Sequence, residues 1–303
     1  MNRRAWLRQM GAGFAASLPE LGRFARAQEA PYQSPYRLKL RHPVTDLEVG
    51  FDGPPWSNPL LESLVPARDW YRPGLKRRLG AWGPHARQYP APAGLARRPA
   101  TWLQDRVILV ASRWIGYAYQ HHHIPDWDPP ADWPWLKVAY GKNSKGIDCS
   151  NFSSFCYNYA LGIKLDTGIG QQARRRELRG PGGRGVLTLE TIERAPYTGL
   201  VAQLQPADLL FIRNDKGKIA HVIMWLGDVG VSPNRVPLVI DATGGNHKDA
   251  NGVRIPIGVY IRPFSANSWY AGDFAHAHRI IPNIAGVRPG RAAEVEEGGA
   301  VDL

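Results

Sequence analysis

The chain has 303 residues, 44% of them hydrophobic, with 38 Lys and Arg against 26 Asp and Glu, a formal charge of +12. That length allows a sizeable core in one or two domains, and 26 prolines with 32 glycines argue for many loops and few long helices. No stretch reaches the roughly 20 apolar residues of a membrane-spanning helix, which excludes that class. The charge favours an anionic partner (nucleic acid, a membrane surface or an acidic wall polymer) without choosing among them.

In chain order, residues 1–27 come first. Arg3 and Arg4 precede Ala5, Trp6 and Leu7, a weakly apolar stretch runs from Met10 to Pro19, and "ARA" ends at Ala27. This reads as a twin-arginine export signal with a small-residue cleavage site. Cleavage after Ala27 removes five arginines and one glutamate, a net +4, and leaves +8. Residues 28–98 are rich in Pro, Trp, Tyr and Arg and carry little periodicity. They read as an irregular segment wrapping the main domain. It has a short strand within "YRLKLRHPVTDLEVGF" and one or two short helices within "PLLESLVPARDWYRPGLKRRL".

A helix is predicted from Thr101, with Thr101 and Gln104 as a capping pair and Leu103, Val107, Ile108, Ala111, Trp114 and Ile115 at helical spacing. A long loop follows. It holds His121, His122, His123, Asp126 and Asp128 among Trp127, Trp133 and Trp135. Residues 121–135 could stack on a substrate as a lid, hold a metal, or simply pack tryptophans on the domain. Three consecutive histidines cannot readily all aim at one ion, so no metal and no cofactor is expected.

A second helix is predicted from about Cys149 to Leu161, and "RRRELRGPGGRG" (174–185) reads as a basic, glycine-rich loop. Strands are then predicted at 207–213, 219–227, 237–243, 253–263 and 274–281, short and separated by turn residues. The tail 287–303 reads as disordered. Helices first and strands afterwards make an α+β fold, helices packed on an antiparallel sheet of about five strands. A catalytic domain is expected over 99–286.

The two cysteines, Cys149 and Cys156, sit seven residues apart in the second helix. Their Cα atoms would be roughly 10 Å apart, beyond the ~7 Å reach of a disulfide. Two free thiols in an exported chain need a reason. Cys149 lies in the first turn, where the helix partial positive charge stabilises a thiolate. His221 lies in an apolar strand about 70 residues on, and Asp241 in the next strand among apolar neighbours. A buried carboxylate needs a partner, and an imidazolium would serve. A nucleophilic cysteine on a helix, a histidine base on a strand and a third group holding the base is a triad arrangement. An amide at position 241 would still hold the imidazole but would not stabilise its charge.

At these residues the chain resembles the NlpC family of bacterial cell-wall cysteine endopeptidases, the "p-sixty" group with a papain-like core. "GIDCSNF" is similar to its nucleophile motif, "LQPADLLFI" and "HVIMWLG" to two of its strands, and "YAGDFAHAHRII" to its closing strand. The resemblance covers about residues 103–281. It implies Cys149 as nucleophile, His221 as general base, and Tyr119 near the oxyanion beside the Cys149 backbone N–H. Asp241 falls where the family usually has a second histidine, and His247 is the runner-up for that third role. Asn151 replaces a glycine of the motif, and "LDTGIGQQ" lacks an Arg and a Ser that the family often has.

The expected function is therefore an exported cysteine peptidase or amidase that hydrolyses an amide bond in peptidoglycan stem peptides, acting as a monomer in the periplasm or outside the cell. The alternative is an inactive wall-binding protein of the same fold. The arginines at 174–176, 179 and 184 raise nucleic-acid binding, but no aromatic stacking platform accompanies them. Mass spectrometry of the extracytoplasmic protein should find an N-terminus near Gln28. An intact Met1 or Asn2 terminus in a purely cytosolic pool would overturn the export reading.

Overall fold

The computed structural model describes residues 32–51, 88–117, 119, 121, 147–245 and 247–281, with the single positions Gly74, Arg77, Ala86 and Ile284. The expected export signal, the tail and nearly all of the 121–135 loop lie outside the described residues. In chain order the elements are β1 (Arg37–Leu38), α1 (Val44–Leu47), α2 (Ala100–Ser112), α3 (Cys149–Leu161), α4 (Ile169–Arg174), β2 (Glu177–Arg179), β3 (Val186–Thr188), β4 (Glu190–Glu193), α5 (Tyr197–Gln203), β5 (Leu209–Arg213), β6 (Ile219–Trp225), β7 (Gly230–Val231), β8 (Leu238–Thr243), β9 (His247–Lys248), β10 (Arg254–Ile255), β11 (Gly258–Pro263), α6 (Trp269–Gly272) and β12 (Phe274–Arg279).

Helices followed by an antiparallel sheet make the expected α+β class. The main sheet has six strands in the order β11-β8-β6-β5-β12-β4, one more than expected. The extra strand, β4, pairs with β12 at the edge. Its sequence, Glu-Thr-Ile-Glu, buries Ile192 alone, so it carries almost no apolar alternation to read. The expected strand 253–263 divides into β10, which pairs with β9, and β11, which pairs with β8. Pro256 separates the two pieces and has no N–H to give a ladder. The stretch 174–185, expected as a loop, contains β2 and a 3₁₀ turn, and β2 pairs with β3 as a hairpin.

Helix α2 starts one residue before the expected Thr101, after Pro99 as N-cap, and the Thr101–Gln104 capping pair does not form. Proline's fixed φ suits the helix entrance, and Gln104 Oε1 instead accepts from Arg41 Nη2 at 3.0 Å. Asp105, fully buried on α2, accepts from the backbone N–H groups of Arg41 and His42 at 2.6 and 3.0 Å and from both side chains. Those bonds fix the 36–51 segment to α2. Arg106 reaches the other way and donates to the carbonyls of Ala160, Leu47 and Val49. Burial lowers its pKa to about 10, and its guanidinium lies 3.9 Å from the Phe51 ring centroid.

All 13 residues of α3 are buried, because the helix packs against α2 and against β6 and β8. Its polar side chains are spent internally. Ser154 donates to Leu165 O at 2.9 Å, Tyr157 to Ala207 O at 2.6 Å, and Asn158 accepts from Tyr89 N at 3.1 Å. The sheet carries a cluster of Leu210, Ile212, Ile223, Trp225, Val239 and Tyr270, covered by Leu200 and Leu204 of the α5 region. At its far end Arg279 bonds Asp208 at 2.9 Å and Glu190 at 3.1 Å. Burial nevertheless raises Asp208 to about 6 against the pull of Arg279.

Helix α3 ends at Gly162, whose φ of 67° is left-handed. A Cβ there would lie 2.8 Å from Gly182 N and 2.9 Å from both Ala91 N and Tyr89 O. All three are backbone atoms and cannot swing aside. Gly162→Ala should therefore cost at least about 2 kcal/mol, strain plus overpacking. Gly252→Ala, at φ +77° with nothing within 4 Å, should cost about 1 kcal/mol. Urea unfolding of the two variants compares them, and equal losses would mean that the close approach at Gly162 is not real.

Candidate active site

Asp148 precedes α3 in extended conformation and caps it, its Oδ1 accepting from Asn151 N at 2.9 Å. The Asn151 side-chain amide adds bonds of 2.8 Å to each carboxylate oxygen. Asn151 is therefore a second clamp on the cap, a role that a glycine could not fill. His121 Nδ1 lies 3.2 Å from Asp148 Oδ2, and Ser150 Oγ donates to Thr167 O at 2.7 Å. Cys149 is thereby fixed as the first helical residue, where the backbone N–H has no partner within the helix and the helix positive end favours negative charge. The Cys149 side chain is 6% exposed.

His221 reaches it from the sheet. β6 and β8 pair at Met224↔Ile240 and Trp225↔Val239. Carried one step on, that register sets Asp241 opposite Ile223, so that His221 lies diagonal to Asp241 on the same face. On the other side of β8, Asp241 pairs with Tyr260 of β11, which puts Arg262, two residues on, on that face too. Three strands thus deliver His221, Asp241 and Arg262 to one place.

The contacts follow. His221 Nε2 lies 2.6 Å from Asp241 Oδ2, and the Cys149 side chain is close enough for its charge to act on the imidazole. An ionised carboxylate only accepts, so Nε2 carries the proton toward Asp241 and Nδ1 is left for the sulfur. Arg262 Nη1 donates to Asp241 Oδ1 at 2.7 Å, and Tyr270 Oη to Oδ2 at 2.7 Å. Tyr270 Oη in turn accepts from His247 Nε2 at 3.1 Å. His221 is 5% exposed, while Asp241, Arg262 and Tyr270 are at 0%.

Burial by itself would lower the His221 pKa, but the charge of a Cys149 thiolate and the hydrogen bond and charge of Asp241 outweigh it and raise the group to about 10. Burial would raise Asp241, but the Arg262 charge, then His221 and Tyr270, hold it at about 2. The raised histidine stabilises the fold fully below its ordinary 6.5 and loses that contribution as pH rises through about 10. The depressed carboxylate contributes above 3.8 and loses it as pH falls through about 2. His247 behaves oppositely: burial first, then the charges of Arg262 and His221, lower it to about 4 against the pull of Asp241. The structure thus sets Asp241 directly on His221, and sets His247 one residue further back, behind Tyr270.

Tyr119 forms a parallel bridge with Ile147, just before the cap, and its ring lies 3.5 Å from the Cβ position at Gly244, after β8. It stands beside the site. Cys156 is at 0% exposure, its pKa raised by burial, and both thiols are free. Arg262, Tyr270 and Trp269 were not expected from the sequence. Trp269, 41% exposed, stacks on His221 with ring centroids 5.7 Å apart. An arginine inside the apolar run "GVYIRP", beside a strand with an apolar-flanked aspartate, was the available signal for Arg262. The lid and metal readings of residues 122–135 lie outside the described residues. Among those described, no group of three or more His, Cys, Asp or Glu could hold a metal ion, and no helix is long and apolar enough to cross a membrane. In the basic stretch, Arg175 pairs with Asp166 at 2.5 Å, and Arg176 Nη1 lies 3.3 Å from His278 Nε2.

No curated protein matches the chain. Among solved structures it is similar to an NlpC/P60 family protein from Bacillus cereus ATCC 10987, at 23% identity and a TM-score of 0.34, over 64% of this chain and 42% of that one. The chain thus spans less than half the length of that protein. It is also similar to the NlpC/p60 domain of the peptidoglycan hydrolase SagA, at 20% identity and a TM-score of 0.30, over 57% of this chain and 96% of that one. The family model that matches is that of the NlpC/P60 family, over residues 137–235, a span that holds both Cys149 and His221.

Proposed function

We propose that the chain is a cysteine peptidase or amidase that hydrolyses an amide bond in peptidoglycan stem peptides. One observation carries this reading: a cysteine at a helix N-terminus lies beside a buried histidine whose Nε2 is 2.6 Å from a buried carboxylate. The NlpC/P60 match supports a wall substrate, and the +8 left after cleavage at Ala27 suits an anionic polymer outside the cytoplasm.

In this reaction the Cys149 thiolate attacks the amide carbonyl carbon. The carbonyl π electrons move onto oxygen, where the Cys149 N–H and Tyr119 receive the negative charge. As the C–N bond breaks, Nδ1–H of His221 protonates the departing nitrogen, leaving a thioester. Neutral His221 then takes a proton from water, hydroxide adds to the thioester carbon, and the thiolate leaves as the acid product forms. Asp241 holds the ring so that Nδ1 meets the sulfur and stabilises the imidazolium. Hydrolysis should fall as pH rises through about 10, where His221 loses its proton.

Mature protein incubated with purified muropeptides should release cleaved stem peptides, and Cys149→Ala should abolish release. Equal release by that variant would end the assignment, and no release by either form would leave the wall-binding alternative. Iodoacetamide near pH 6 should label Cys149 far faster than Cys156, which is buried to 0%. His221→Ala should slow that labelling. Faster labelling of Cys156 would place the nucleophile elsewhere.

A further inference from the structure

Asp241 is held from two sides, and the two sides make different demands. Arg262 Nη1 donates to Oδ1 at 2.7 Å and to the Asp241 backbone carbonyl at 3.3 Å. The same guanidinium donates to Tyr260 O at 3.1 Å, Pro256 O at 2.8 Å and Gly258 O at 3.2 Å, so it is locked in orientation. Guanidinium has no acceptor and keeps its charge in proteins. The atom at the Oδ1 position must therefore be an acceptor. At the Oδ2 position, His221 Nε2 must find an acceptor too if its Nδ1 is to face the sulfur unprotonated and take a proton.

We infer that Arg262 is a positioning residue that restricts position 241 to a carboxylate, because its fixed, buried guanidinium claims one acceptor and only a carboxylate has a second to offer His221. The inference rests on the reading of His221 as the base for Cys149. An amide in Asp241→Asn is nearly the same shape but has one acceptor. Turned with its NH₂ toward Arg262, it would oppose donor to donor in a fully buried place, which costs more than the alternative. Turned with its oxygen toward Arg262, it points NH₂ at His221 Nε2 and Tyr270 Oη. Tyr270 adapts by rotating its hydroxyl. His221 adapts by accepting at Nε2, which moves its proton to Nδ1, toward Cys149. An imidazole protonated there cannot take the thiol proton, and an imidazolium would set Nε2–H against N–H. On this inference an amide at 241 would hold the imidazole in the wrong tautomer, beyond failing to stabilise its charge, because Arg262 decides which way the amide turns.

The test uses the full chain with ¹⁵N-labelled histidine, read by long-range ¹H–¹⁵N NMR near pH 7 beside muropeptide hydrolysis. In the wild type His221 should carry both ring protons. In Asp241→Asn it should be neutral with its proton on Nδ1, and hydrolysis should fall by about 10³–10⁴-fold, the scale seen when a triad base is held in the wrong tautomer. Adding Arg262→Met frees the amide to turn its oxygen to His221. The double variant should then show the proton on Nε2 and recover hydrolysis at least about tenfold over Asp241→Asn. Hydrolysis by Asp241→Asn within tenfold of wild type, or a proton on its His221 Nε2, would overturn the inference. If that variant does not fold, the double variant alone decides: a proton on Nε2 supports the inference and a proton on Nδ1 overturns it. The NMR readout needs no turnover, so an enzyme that fails on muropeptides still leaves the Arg262 claim open to measurement.

Discussion

The Asp241 carboxylate sits on β8, an interior strand next to the edge of the sheet, with no access to solvent, and the arrangement around it follows from that placement. A buried anion is costly unless it is paired and hydrogen-bonded. Here both oxygens are used: one by Arg262, the other by His221 and Tyr270 together. Arg262 offsets the charge, and His221 turns the remaining field into a preference for its own protonated form. Burial opposes both ionised states, so the pair holds only because the partners are within 2.7 Å. Removing one partner would strand another, which ties the stability of β8 and β11 to the electrostatics of His221.

Cys149 depends on a different kind of constraint. Helix α3 is buried along its whole length, so its start cannot slide. Asp148 and Asn151 close the first turn from the N-terminal side, and at the other end Gly162 lets the chain turn where side-chain atoms have no room. Arg106 bonds the Ala160 carbonyl in the last turn, a cation where the helix dipole favours one. With both ends fixed, Cys149 meets His221 as a matter of packing rather than of loop conformation. Tyr270 joins this site to the sheet cluster, since its ring packs with Ile223, Trp225 and Val239 while its hydroxyl reaches Asp241.

Much of this was legible along the chain. The helix from Cys149 to Leu161 has its observed limits in the sequence, because an aspartate that can cap precedes it and a glycine that can turn follows it. The strands around Phe211, Val222, Ile240 and Ala277 announced themselves through short apolar runs between turn residues. The distance argument against a Cys149–Cys156 disulfide rested on helix rise alone, and both thiols are free. Strand β4 was not legible, having one buried side chain, and the Thr101–Gln104 pair gave a false signal because Pro99 already starts the helix and Arg41 claims Gln104.

What the sequence determined by itself was local: which residues start and stop each element, and that one cysteine, one histidine and one aspartate lie in places where chemistry could be done. Which of Asp241 and His247 touches His221 was decided by register, since only the β6–β8 and β8–β11 pairings bring residues 221, 241 and 262 onto one face of three strands. Arg262 and Tyr270 come from segments 21 and 29 residues beyond Asp241, and nothing in their own neighbourhoods states what they bond. Strand pairing is a relation between distant stretches whose period-2 alternation tells which face a residue takes but not which residue stands opposite. The tertiary structure supplied that partner.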